Sequence, residues 1–78
     1  MSVDLPARHP ATQEKMRWLT PNPRLPAGTP SIVSAMFYDL ATDLLERVGD
    51  GAQLTIGLQR LVDAKDAVVR QAVADAEV

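Results

Sequence analysis

The strongest pattern in the chain is a set of apolar positions at helical spacing: Val33, Met36, Phe37, Leu40, Ala41, Leu44 and Val48. It predicts an amphipathic helix with Thr29 as its cap and Pro30 in its first turn. Ile32 and Leu45 fall off this stripe, so the apolar surface is wider than one neighbouring helix covers. A second series, Leu54, Leu58, Leu61, Val62, Val68, Val69, Ala72 and Val73, predicts a helix from about Gly51 to about Asp75. Gly57 and Ala64 permit close helix approach along it. Between the two lies Gly49-Asp50-Gly51, in which Gly49 is placed for a left-handed helix end and Asp50 with Gln53 for a capping-box-like start. So short a corner predicts antiparallel neighbours.

Residues 1–29 read differently. Prolines at 6, 10, 21, 23 and 26 remove backbone donors and push the preceding residues toward extended conformations. Only residues 11–19 escape, and they predict a short helix with Met16 and Leu19 on its sticky side and Trp18 packing the arm onto the body. The predicted fold is all-α: a short N-terminal helix or extended Pro-rich arm in residues 1–29, then an antiparallel two-helix hairpin in residues 30–78. The hairpin is too small to bury its own apolar surface, and the longer second helix overhangs the first. A homo-oligomer is therefore expected.

Charge separates the same two parts. The 78-residue chain has net charge −2, but the arm sets Arg8, Lys15, Arg17 and Arg24 against Asp4 and Glu14, while residues 30–78 are net acidic. An acidic body argues against a general DNA or RNA binder, and long antiparallel helices argue against a helix-turn-helix reader. The arm is the place to look for an anion. Without cysteine there is no disulfide framework, thiolate metal site or cysteine nucleophile. No segment approaches a membrane span or a secretory leader, so a cytoplasmic location is expected.

Candidate chemistry is sparse. Asp39, Asp43 and Glu46 line one side of the first hairpin helix, but they have no histidine partner and read as a solvated face. His9 stands alone, so no metal site is expected, and neither a catalytic residue nor a cofactor. Trp18 beside Arg17 offers a ring to stack on a base and a guanidinium for a phosphate. Lys65 lies near the apolar line of the second helix, where it can snorkel to solvent or face a ligand, and Arg60 has only Asp63 nearby. Asp43 with Arg47 and Asp66 with Arg70 are four-apart pairs. Tyr38 is expected at an interface.

The series Leu58-Gln59-Arg60-Leu61-Val62-Asp63-Ala64-Lys65-Asp66-Ala67-Val68-Val69-Arg70 resembles the second hairpin helix of a family of small bacteriophage proteins. These are the anti-CBASS and anti-Thoeris cyclic-nucleotide sponges. His9-Pro10, Leu40-Ala41 and Ala64-Lys65-Asp66 with Arg70 are the matching points, and the likeness spans most of the chain. The resemblance implies a non-catalytic homo-oligomer, often a hexamer, that traps cyclic oligonucleotides or cyclic ADP-ribose-type signals in the host cytoplasm. On it, Arg8, His9, Lys15, Arg17, Trp18, Arg60, Lys65 and Arg70 are the candidate ligand-binding residues. Ser34 stands where many members carry arginine, and Arg8 where an aromatic residue commonly precedes the histidine-proline pair. The alternative is a hairpin module that oligomerises or binds a protein partner without a ligand.

Overall fold

The computed structural model describes residues 5–77, so the first four residues of the arm and Val78 lie outside it. Among the described residues the chain is entirely helical, without a strand. A 3-10 turn at Leu5–Ala7 is followed by α1 (Pro10–Leu19), α2 (Thr29–Leu45) and α3 (Ala52–Ala76).

Helix α1 opens on Pro10, where a missing N–H costs nothing, and His9 caps it by accepting the Ala11 N–H on Nδ1 at 3.0 Å. It stops at Leu19 because Thr20 precedes Pro21 and is extended, with φ −60° and ψ 132°. The Thr20 N–H and hydroxyl both turn back to the Met16 carbonyl.

Helix α2 departs from the sequence reading at both ends. Gly28, not Thr29, is the N-cap, with φ 95° and ψ −141°, a region that glycine alone enters freely. The helix ends at Leu45, short of Val48, and Gly49 does not take the left-handed conformation expected of it. The reason is a distant side chain: Arg8 donates to the Leu45 and Val48 carbonyls, each at 2.8 Å, and so satisfies the end of the helix from outside. Nor does Asp50 cap α3. Gly51 stands at that N-cap with no side-chain bond, because the Asp50 carboxylate is given to α1 instead.

Met16 and Leu19 of α1, Ala41 and Leu45 of α2, and Leu58 and Val62 of α3 form the buried core, with Leu5, Phe37, Tyr38, Leu54 and Leu61 packed against it. Each large apolar side chain so buried contributes about 1.5–3 kcal/mol. Two expectations are corrected here. Trp18 does not fasten the arm, being 57% exposed, and Met16 and Leu19 do so in its place. On α2 the residues that bury are Pro30, Ser34, Ala41 and Leu45, whereas Met36, Leu40, Leu44 and Val48 of the predicted stripe stay exposed. Small Ser34 and Ala41 let α2 approach its neighbours, which Met36 and Leu40 on the same line would hold apart. Tyr38 packs against this internal core.

Candidate functional site

Two polar clasps hold α1 against the rest of the molecule. At its start, Asp50 accepts the His9 N–H at 2.7 Å on one oxygen, and the Thr12 hydroxyl and Arg8 Nε, both at 2.8 Å, on the other. The His9 N–H foremost, then the Thr12 hydroxyl and the Arg8 guanidinium, hold the Asp50 pKa down at about 2 against the opposing effect of burial. At the other end of α1, Lys65 donates from Nζ to the Trp18 carbonyl at 2.7 Å. Lys65 is buried rather than snorkelling, and desolvation lowers its pKa, partly offset by neighbouring Asp66. Between the clasps, Lys15 donates to the Gln59 side chain at 2.6 Å.

The eight candidate residues thus divide into groups. Arg8 and His9 sit at the Asp50 clasp, with Arg8 joining α1 to the end of α2 and His9 serving as the α1 cap. Lys15 bridges to α3 midway along α1. Lys65 meets the end of α1 only at the Trp18 carbonyl, and the Arg17 side chain lines a separate groove along α1 with Leu5, Pro10, Gln13, Glu14, Met16 and Thr20. There the Arg17 guanidinium lies 5.7 Å from the centre of the Trp18 ring and 3.6 Å from Glu14, and the indole N–H donates to Glu14 at 3.2 Å. Lys65 and Arg70, with Asn22, Leu25, Asp66 and Val69, line an open groove of about 290 Å³ between α3 and the segment 20–28 that joins α1 to α2. Arg60 is exposed and forms no hydrogen bond or ion pair among the described residues. About 140° around α3 from Lys65, it stands apart from both groups.

Of the helix-surface pairs, Arg47 donates to the Asp43 carbonyl rather than to its carboxylate, and Asp66 and Arg70 form no ion pair among the described residues. Sequence reasoning missed Asp50 and Thr12 as partners of the arm, since a carboxylate after glycine gives a local capping signal and nothing marks a tie 38 to 42 residues away. Ser34 is fully buried and its hydroxyl has no partner, so an arginine there would have to open the core. Among the described residues, no three His, Asp or Glu side chains gather to hold a metal ion, and no helix is long and apolar enough to cross a membrane. Compared with known proteins, the chain matches no family model, no curated protein and no solved structure.

Proposed function

We propose that this chain is a non-catalytic, self-assembling protein whose α2 and α3 form an antiparallel hairpin, and that it captures a small cyclic nucleotide signal and withholds it from host anti-phage effectors. The observation that carries this reading is the open groove lined by Lys65 and Arg70, which the Lys65 bond to the Trp18 carbonyl joins to the end of α1. An exposed indole gives a base a surface to stack on, and Arg17 and Arg70 offer guanidinium groups to phosphates. The groove that Lys65 and Arg70 line is open and small, which suits a site completed by a neighbouring subunit. The resemblance around Ala64-Lys65-Asp66 and Arg70 supplies the ligand class.

Thermal melting against cyclic di- and trinucleotides and cyclic ADP-ribose isomers tests the reading. A true ligand at a hundredfold its dissociation constant stabilises the protein by about 2.7 kcal/mol. Arg70→Ala should weaken that ligand at least tenfold, since losing a charged hydrogen bond costs roughly 1.5–3 kcal/mol. Exposed Arg70 is a cleaner probe than Lys65, whose removal also strips the Trp18 carbonyl of its donor. A panel that shifts nothing ends the sequestration reading. The protein is then an assembly or protein-interaction module, a second reading favoured by Arg8 and His9 already being engaged within the chain and by an exposed apolar face that requires no ligand.

A further inference from the structure

Among the described residues Lys65 is the one buried side chain of a charged type, 8% exposed, and no carboxylate forms an ion pair with it. Its single partner there is neutral: the Trp18 carbonyl, to which Nζ donates at 2.7 Å. An ammonium carries three donors, so two would be left without an acceptor. A buried cation so poorly compensated is costly, and the same setting favours the free amine. Desolvation accordingly lowers the Lys65 pKa, although neighbouring Asp66 opposes it. The free amine fits its surroundings better. It gives one N–H to the Trp18 carbonyl and keeps a lone pair for an electrophile, the state in which a desolvated lysine attacks carbonyl compounds.

Lys65 is buried but not sealed off, because it lines the open groove of about 290 Å³ with Leu25, Val69 and Arg70. Sites for drug-sized ligands run from about 300 to 1,000 Å³, so this one suits a smaller molecule. Two donors stand ready for an acid group. Arg70 is exposed and has no ion pair among the described residues. Asn22, also in the groove, accepts the Arg24 N–H on its carboxamide oxygen at 2.9 Å and keeps its nitrogen free to donate. We infer that Lys65 captures a small aldehyde bearing a carboxylate or phosphate as a reversible imine, with Arg70 and Asn22 holding the acid group. The Nζ lone pair forms the C–N bond, and one amine proton and one proton from solvent turn the carbonyl oxygen into the water that leaves. The protonated imine retains one N–H, which still serves the Trp18 carbonyl, so capture leaves α1 fastened. The inference stands on Lys65 and its groove and not on the proposed nucleotide, so either can fail without the other.

The sequence supplies its own control, since Lys15 is the only other lysine and its side chain donates to Gln59. Glyoxylate carries the carboxylate and pyridoxal phosphate the phosphate, and cyanoborohydride reduces whatever imine each forms. Peptide mass spectrometry then compares the two lysines within one sample, so no variant at Lys65 has to fold. With at least one probe, Lys65 should be modified severalfold faster than Lys15, and the preference should vanish in urea. The probe that Lys65 prefers identifies the acid group. Arg70→Gln, at an exposed position, should slow modification of Lys65 by roughly tenfold while leaving Lys15 and the helical circular dichroism unchanged. If Lys65 reacts no faster than Lys15 with either probe, the inference is overturned. A preference that persists in urea, or that Arg70→Gln leaves intact, overturns it as well, because the groove is then not what selects the aldehyde.

Discussion

One carboxylate joins the three helices: Asp50, next to the start of α3, accepts from the start of α1 and from Arg8, which in turn holds the end of α2. Its ionised form is the one these donors favour, so its pKa falls to about 2 in the folded protein, against about 3.9 in an unfolded chain. A depressed carboxylate pKa gives stability that is fully present above the unfolded value and is lost as pH falls through the folded one. The thermal midpoint should therefore drop between about pH 4 and pH 2 more steeply in the parent than in Asp50→Asn, which should also melt earlier at neutral pH. Parallel midpoint curves for the two proteins across that range would remove Asp50 from the account.

At the scale of the elements, two glycines that look alike in sequence have opposite consequences. Gly28 holds a positive φ at the start of α2, so Gly28→Ala should cost about 1–3 kcal/mol from backbone strain although nothing crowds the new methyl. Gly49 does not hold a left-handed φ and a methyl added there would meet nothing within 4 Å, so Gly49→Ala should be neutral or stabilise by about 0.4–1 kcal/mol. Urea denaturation of the two variants measures both effects. The helices themselves were legible: a window of residues 11–19 became Pro10–Leu19, and the second apolar series became Ala52–Ala76. What escaped were the features that distant residues decide. The end of α2 depends on Arg8, and the buried face of α2 on how closely Ser34 and Ala41 let it approach. The tie between Trp18 and Lys65 was hidden likewise, because it exists only once α1 lies along α3.

The whole molecule measures 42 × 23 × 18 Å, a slender shape that leaves much apolar surface in water. If the proposed self-assembly covers part of that surface in the folded state alone, mass action ties stability to concentration. The thermal midpoint should then rise with each tenfold increase in protein, as calorimetry over a concentration series can establish. A midpoint that ignores concentration would mean that each chain folds without help from another. The clasps on α1 also bear on how the chain is made. Helix α1 is complete in sequence at Leu19, yet its start waits for Asp50 and its Trp18 carbonyl waits for Lys65, 46 residues beyond Leu19. At about 5–20 residues per second, the ribosome needs some 2 to 9 s to supply that lysine. Of these three helices the first to be made is thus the last to be clasped at both ends, and until α2 and α3 follow, Met16 and Leu19 lack the residues that bury them in the finished core.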